Sequence, residues 1–152
     1  MAFSSLAEID AYMKTNKCEF WEAVIREEAR DSQQPEMDIV NRMTQMYRSM
    51  KEADEAYDDS LTSRSGLSGK NGKKMADYAA THKCMCGKFG GAVMARAIKM
   101  AESNACMKRI VAAPTAGSCG VVPAILITYE RMTNTSENDM VKALFVAAGF
   151  GD

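Results

Sequence analysis

Apolar residues recur at helical spacing in most parts of this chain, and the alternation that is typical of half-buried strands is almost absent. The clearest case is a stripe made of Ile39, Val40, Met43, Tyr47 and Met50. At about 3.6 residues per turn, these side chains share one helix face and leave the opposite face to charged residues. The pattern predicts an all-α protein.

Helix start signals divide the first third of the chain. In Ser5-Leu-Ala-Glu8, a serine and a glutamate stand at the spacing of a capping box, which satisfies free N–H groups at a helix start. A second short helix is predicted around Phe20–Ile25. Pro35 suits the start of a third helix, because its missing N–H costs nothing in a first turn.

Length and composition indicate one domain, residues 1–152, which is large enough to bury a core. Within it we expect a helical segment at about 5–57, a loop at 58–72 and a helical core at 73–152. The loop is rich in glycine and hydroxyl residues, which favour neither helix nor strand. In the core, Gly90-Gly91 predicts a break, because glycine disfavours helix interiors.

Charge and hydropathy exclude several classes of partner. The chain carries 19 basic and 20 acidic residues, a formal net charge of -1, and so lacks the basic surface that nucleic acids and anionic membranes attract. No apolar run reaches the ~20 residues of a membrane-spanning helix, and the N-terminus has no signal-peptide pattern. We therefore expect a cytoplasmic protein that binds neither nucleic acid nor membrane.

The five cysteines are irregularly spaced, and their odd number argues against a disulfide framework. We expect reduced and mostly buried thiols. His82 is the only histidine, which argues against a closed Cys/His zinc site and a Ser-His-Asp triad. Histidine is a common general base, but a surface or packing role is the better interpretation for His82. The catalytic base stays unassigned.

One segment, Ile110–Ala124, combines an apolar run, a small-residue loop and a helix start. Gly117 and Gly120 permit positive φ angles and close backbone approach, and Pro123 suits a first helical turn. Free N–H groups at such a helix start favour a carboxylate or another small anion. The alternative interpretation of this segment is a plain connector between two buried helices. For the loop at 58–72, the alternative interpretation is a flexible linker.

The chain ends on an apolar stretch, residues 143–152, without a polar tail. An apolar helix at a terminus needs a surface to pack against, or it stays exposed. We expect the sequence to be interrupted at this point, and we expect something outside this chain to cover the stretch.

Three segments together resemble one family. Ser65-Gly-Leu-Ser-Gly69, Glu102-Ser-Asn-Ala105 and Ile110–Leu126 are similar, in this order, to the alpha subunit of the iron–sulfur-dependent L-serine dehydratases (L-serine ammonia-lyases). The strongest match is Ala113-Pro-Thr-Ala-Gly-Ser-Cys-Gly120, and the resemblance extends from Ser5 to Gly151. It implies a helical fragment of a catalytic domain.

The resemblance implies an enzyme that converts L-serine to pyruvate and ammonia with a [4Fe–4S] cluster. In that family three cysteines hold the cluster, and its open iron acts as a Lewis acid on the substrate hydroxyl. The family's alpha subunit is about twice as long, with the cluster cysteines in its second half. We therefore expect no metal ligand in this chain and cluster ligands beyond Asp152. The implied partners are L-serine, a separate beta subunit and the remainder of the alpha chain.

The resemblance also implies a substrate pocket with two walls of glycine and hydroxyl residues. The expected binding residues are Ser65, Gly66, Ser68 and Gly69 on one wall and Thr115, Gly117, Ser118 and Gly120 on the other. Thr115, Ser118 and nearby N–H groups are expected to hold the carboxylate or the ammonium of serine. Beside the first wall, Lys70-Asn71 stands where the family often has Gly-Asp, a departure that adds a positive charge.

Two other functions stay open at this stage. A truncated or split paralogue would be inactive and would only bind the beta subunit or the missing half. An unrelated all-α module would bind a small anion through a loop that resembles the dehydratases by chance. For the lyase subunit, we expect the isolated chain to be inactive and marginally stable.

Overall fold

A computed structural model of the chain describes residues 3, 5–81 and 84–151. All regular elements in these ranges are helical, which confirms the all-α prediction. The α-helices are α1 (Leu6–Asn16), α2 (Phe20–Ser32), α3 (Glu36–Glu55), α4 (Asn71–Ala80), α5 (Gly87–Ala105), α6 (Val121–Thr133) and α7 (Glu137–Gly151), with a short 3-10 turn at Ala116–Ser118. Within the described part of the chain, no helix is long and apolar enough to cross a bilayer.

Local signals set several of the helix starts. The hydroxyl of Ser5 accepts a hydrogen bond from the Glu8 N–H at 3.3 Å, which confirms Ser5 as the N-cap of α1. Ser136 caps α7 in the same way, since its hydroxyl accepts from the Asp139 N–H at 3.2 Å. By contrast, α4 begins at Asn71, inside the loop predicted at 58–72. The reason is a capping contact from another helix, described below.

The chain divides into two compact units, and the boundary between them falls within α3. The first unit is Met1–Met46 together with Ser136–Asp152, and the second is Tyr47–Thr135. The boundaries of the single domain predicted above stay a prediction. Both predicted substrate loops belong to the second unit.

In the first unit, α7 packs against α2. Gly149 lies so close to α2 that a Cβ at this position would stand 2.6 Å from Cγ2 of Val24. The ring of Phe150 stacks on Phe20, with centroids 5.1 Å apart. Much of the apolar stretch at 143–152, which we expected something outside the chain to cover, is therefore packed against the chain's own second helix.

In the second unit, α4 and α6 both pack against α5. The break predicted at Gly90-Gly91 is wrong, because α5 runs unbroken through both glycines. A Cβ at Gly91 would stand 3.0 Å from Cβ of Ala79 on α4, so the missing side chain permits close helix packing. A turn precedes α5, and Gly87, the first residue of the helix, takes a positive φ of 69°.

All five cysteines are free thiols, but the prediction that most of them are buried is wrong. Cys119 is buried, Cys86 is exposed, and Cys18, Cys84 and Cys106 are half-buried. The four less buried cysteines lie between helices, where the backbone returns to the surface, whereas Cys119 belongs to a core cluster with Ala53 and Met100.

Candidate substrate-binding loops

The first predicted wall lies in the serine loop, defined as residues 58–70 between α3 and α4. Ser63 organises this loop from a buried position. Its N–H donates to the carbonyl of Ser68 at 2.8 Å, and its Oγ accepts from the Ser68 N–H at 3.1 Å. The Oγ of Ser63 also lies 3.1 Å from the Oγ of Ser65. The loop thus closes on itself through hydrogen bonds, which a solvated linker does not make.

The predicted binding residues differ in exposure along this loop. Ser65 and Gly66 are exposed, whereas Ser68 and Gly69 are half-buried. Gly66 takes a positive φ of 74°, a conformation that favours glycine. At Gly69, where φ is 154°, a Cβ would stand 2.7 Å from the carbonyl oxygen of Leu61. The path of the loop therefore depends on both glycines, and among its four predicted binding residues the polar side chains are those of Ser65 and Ser68.

A buried carboxylate holds the base of the serine loop. Glu102 projects from α5 and is only 4% exposed. Its Oε1 accepts from the Asn71 N–H at 2.7 Å, and its Oε2 accepts from the Gly72 N–H at 3.0 Å. The same Oε2 accepts from the hydroxyl of Tyr57 at 2.8 Å. The carboxylate thereby caps the N-terminus of α4, where a negative charge is favoured.

The protonation of Glu102 and Tyr57 follows from these contacts. Burial by itself would raise the pKa of Glu102, but the hydrogen bonds from Tyr57, Gly72 and Asn71 together hold that pKa below its ordinary value. Burial, followed by the hydrogen bond to the Glu102 anion, raises the pKa of Tyr57 to about 12. At neutral pH the pair is therefore a carboxylate anion beside a neutral phenol.

Lys99 completes the surroundings of Tyr57. Its Nζ lies 5.3 Å from the centroid of the Tyr57 ring, within the range of a cation–π contact. The backbone of Lys99 also lies close to Gly72. A Cβ at Gly72 would stand 3.0 Å from both the N and the Cα of Lys99. Tyr57 is thus held by an anion at its hydroxyl and a cation at its ring, and α4 begins in close contact with α5.

The second predicted wall lies in the proline loop, defined as residues 106–120 between α5 and α6. The Oγ1 of Thr115 lies 2.9 Å from the Oγ of Ser118 and accepts from the Ser118 N–H at 3.3 Å. Thr115 and Gly117 are exposed, and Ser118 is half-buried. The loop therefore presents a pair of hydroxyl groups, one at the N-cap and one at the last residue of the 3-10 turn.

Gly120 anchors the end of the proline loop. A Cβ at this residue would stand 2.6 Å from the carbonyl oxygen of Ala97 and 3.2 Å from Cβ of Met100, which confirms the close approach expected here. Neither glycine adopts the positive φ angle that it permits, because φ of Gly120 is -85° and Gly117 lies within the 3-10 turn. Both glycines adopt helix-like backbone angles, and space is what restricts Gly120.

The two loops are anchored at different residues of α5, although Asp58 and Leu61 of the serine loop and Cys106 and Lys108 of the proline loop line one small cavity beside Glu102. The serine loop leads into Gly72, which lies against Lys99, and the proline loop ends at Gly120, which lies against Ala97. Residues two apart in an α-helix differ by about 200° around its axis. No hydrogen bond between described residues joins one loop to the other. Their arrangement as facing walls of one pocket stays a prediction.

Sequence reasoning did not identify a cleft of ≈ 390 Å³ along α5. The Nε of Arg96 lies 2.8 Å from Oδ1 of Asp54, and its Nη1 donates to Thr128 at 2.7 Å. Arg131 lies 3.6 Å from the same Asp54 carboxylate. Alanines lining the cleft are Ala76, Ala79, Ala80, Ala92 and Ala95. The charged groups come from α3, α5 and α6, so no local motif indicated them.

The roles of Glu102 and Tyr57 were also missed, although Glu102 was part of a segment that carries the family resemblance. One signal in the sequence is that Glu102 belongs to a segment otherwise rich in small residues. If such a segment is packed in the interior, the carboxylate needs hydrogen-bond donors from neighbouring residues. The sequence alone does not reveal which donors these are.

The described residues do not provide a cluster site. Among them, no group of three or more His, Cys, Asp and Glu side chains is arranged to hold a metal ion. A [4Fe–4S] cluster with one open iron needs three thiolates, so it does not fit these cysteines. His82, the histidine considered as a base, lies outside the described residues. What the described loops offer is hydroxyl and N–H groups that suit a small polar molecule.

Comparison with known proteins places these loops within a family. The family model described as the serine dehydratase alpha chain matches residues 15–151. The probable L-serine dehydratase alpha chain of Bacillus subtilis (strain 168) is 29% identical over 149 residues, which cover 98% of this chain and 50% of that protein. No solved structure gives a match.

Two further relatives match shorter parts. The L-serine dehydratase alpha chain of Peptoniphilus asaccharolyticus is 37% identical over 79 residues, or 52% of this chain and 27% of the relative. L-serine dehydratase 1 of Escherichia coli (strain K12) is 42% identical over 53 residues, which cover 35% of this chain and 12% of that protein. The chain thus spans about half the length of the longest-matching of these relatives, and less of the others. Because the family match covers nearly all of its residues, the chain belongs to the serine dehydratase alpha chain family.

Proposed function

We propose that this chain contributes the substrate-binding loops of an L-serine ammonia-lyase. The observation that carries the proposal is the family match at residues 15–151, because it includes both the serine loop and the proline loop. The relatives that cover the most of this chain are named as alpha chains of L-serine dehydratases. Since the chain spans about half of the first of these, the activity of a whole enzyme is part of the proposal.

The reaction removes the α proton and the β-hydroxyl of L-serine, and the resulting aminoacrylate hydrolyses to pyruvate and ammonia. Such an elimination requires a fixed substrate, because the orientation of the reacting groups lowers the barrier. The hydroxyls of Thr115 and Ser118 can donate and accept hydrogen bonds, so they suit both the carboxylate and the ammonium. Ser65 and Ser68 offer the same groups on the serine loop, and Lys70 adds a positive charge beside them.

The proposal assigns binding and orientation of L-serine to the described residues and assigns no catalytic base among them. In the complete enzyme, a [4Fe–4S] cluster held by residues outside the described ranges would supply Lewis-acid chemistry. The proposed partners are a beta subunit and the remainder of the alpha chain, in keeping with the "alpha chain" names of the relatives. The proposed location is the cytoplasm.

Thr115→Val tests the proposal in the complete, active enzyme. The substitution keeps the shape of the side chain and removes its hydroxyl. We expect kcat/KM for L-serine to fall at least tenfold, which corresponds to about 1.4 kcal/mol of transition-state stabilisation. Steady-state kinetics under anaerobic conditions measure the effect. Unchanged kinetics would remove Thr115 from the site.

Thr133→Val is the matched control, because Thr133 is an exposed threonine at the end of α6 whose hydroxyl bonds only locally, to the Tyr129 carbonyl and Thr135. Its kinetics should match those of the wild type. The same preparation separates the lyase from the inactive binding module considered above. An assembled complex with no iron–sulfur absorbance and no pyruvate formation would contradict the lyase and favour the binding module.

A further inference from the structure

Glu102 contacts the chain on both sides of the serine loop. Tyr57, whose hydroxyl donates to Oε2, is the residue immediately before the loop. Asn71 and Gly72, whose N–H groups donate to Oε1 and Oε2, are the residues immediately after it. One carboxylate on α5 therefore binds the chain on both sides of the serine loop, which connects α3 with α4.

The three donors require an ionised acceptor. A carboxylate accepts hydrogen bonds at both oxygens, whereas a glutamine side chain has one accepting oxygen and an amide group that donates. In a Glu102→Gln variant, the amide group would face the N–H of Asn71 or Gly72 as donor against donor. The charge also matters, because the N-terminus of α4 carries partial positive charge.

The contacts around Tyr57 leave it little freedom. The ammonium of Lys99 lies over its ring while Glu102 accepts from its hydroxyl. At the other end of the loop, Gly72 is pressed against the backbone of Lys99. Both ends of the loop are thus fixed to one turn of α5, and the internal hydrogen bonds of Ser63 carry that position to Ser65 and Ser68.

We propose that Glu102 is a positioning residue for substrate binding, which sets the place of Ser65 and Ser68 by holding both ends of the serine loop against α5. The inference rests on the proposed function for its enzymatic consequence. Glu102 acts through the loop and makes no contact with substrate. Its effect should therefore appear in KM for L-serine, with a smaller change in kcat.

The test combines hydrogen exchange with kinetics. In Glu102→Gln, we expect the amides of Asn71 and Gly72 to exchange at least tenfold faster in the full chain. In the complete enzyme, we expect KM for L-serine to rise at least tenfold while kcat falls less than threefold. A merely structural defect would lower the active fraction, and so kcat, with KM unchanged. Tyr57→Phe removes one of the three donors and should show the same changes at smaller size.

Glu130→Gln is the matched control. Glu130 accepts from the hydroxyl of Tyr47 at 3.0 Å and pairs with Lys51 at 3.3 Å, so it is also a half-buried carboxylate beside a tyrosine. It lies on α6, away from the serine loop in sequence, and its variant should leave exchange at Asn71 and KM unchanged. If Glu130→Gln changes amide exchange at Asn71 and KM as much as Glu102→Gln does, the effect is not specific to Glu102, and the proposal fails.

The outcomes separate this inference from the proposed function. Unchanged exchange at Asn71 and Gly72 in Glu102→Gln overturns the positioning role. Faster exchange with unchanged KM also overturns it, while the lyase proposal stands. If the wild-type complex forms no pyruvate, the proposed function fails, and the exchange data still decide whether Glu102 holds the loop. Should Glu102→Gln not fold, Tyr57→Phe decides by the same two measurements.

Discussion

The serine loop and the proline loop both lead into a glycine that is packed closely against α5, but within the described ranges only the serine loop is also bonded to a buried carboxylate. The serine loop is held at both ends by hydrogen bonds to one ionised side chain, Glu102. The proline loop ends in a close fit, with Gly120 against the backbone of Ala97. Its own hydroxyl pair, Thr115 and Ser118, bonds only within the loop.

Because the two loops are attached differently, we expect their stability to respond to different perturbations although their compositions are similar. Hydrogen bonds to a carboxylate depend on its charge and therefore on pH. A close fit depends on volume and is insensitive to pH. Changes in charge should act on the serine loop and changes in volume at Gly120 should act on the proline loop, so each can be disturbed while the other is kept.

Gly120→Ala should give the largest loss of stability. The added Cβ would stand 2.6 Å from the carbonyl oxygen of Ala97 and 3.1 Å from its Cα, and neither backbone atom can move without displacing α5. We expect the free energy of unfolding to fall by about 2 kcal/mol. Urea unfolding followed by circular dichroism measures it. In Gly117→Ala, where nothing lies within 4 Å, the change should stay within about 0.5 kcal/mol; equal losses would contradict the close-fit account.

Ser63→Ala should have an intermediate effect, confined to the serine loop. It removes the Oγ that accepts from the Ser68 N–H and bonds Ser65, at a cost of about 1 kcal/mol. Urea unfolding gives the loss, and hydrogen exchange at Ser68 locates it. Ser60→Ala, which removes an exposed hydroxyl bonded only to Asp58, should leave Ser68 unaffected. Faster exchange in the proline loop would show that the loops are not independent.

The dependence of stability on pH should give the smallest and most specific effect. The pKa of Glu102 is lowered in the folded chain, so its stabilisation is present above the ordinary pKa of a glutamate and is lost as pH falls through the folded value. We expect wild type to lose stability more steeply than Glu102→Gln on acidification below about pH 4.5. Unfolding curves at a series of acidic pH values test this, and parallel curves would contradict it.

The alkaline side has the opposite sign. The pKa of Tyr57 is raised to about 12, so its contribution is complete below the ordinary tyrosine pKa of about 10 and is lost as pH rises through about 12. A phenolate absorbance titration should show a component near 12 that disappears in Tyr57→Phe. Its persistence in that variant would assign it to another tyrosine.

Local sequence signals predicted the helical class, the cap at Ser5 and both glycine- and hydroxyl-rich loops, because each depends on neighbouring residues. They did not predict the role of Glu102, whose partners stand 30, 31 and 45 residues away. At Gly90-Gly91 the low helix propensity of glycine gave the wrong prediction, since the packing of α4 on Gly91 outweighs it. Contacts over long sequence distances decided both cases.

Because both loops are fixed to α5, the number of residues between their two attachment points sets how the loops are oriented around the helix. Ala97 and Glu102 are separated by about 7.5 Å along the helix axis at 1.5 Å per residue. An insertion or deletion of a single residue between them would rotate one attachment point by about 100° relative to the other. Homologous chains that keep both loops should therefore show no change in the number of residues between these two positions.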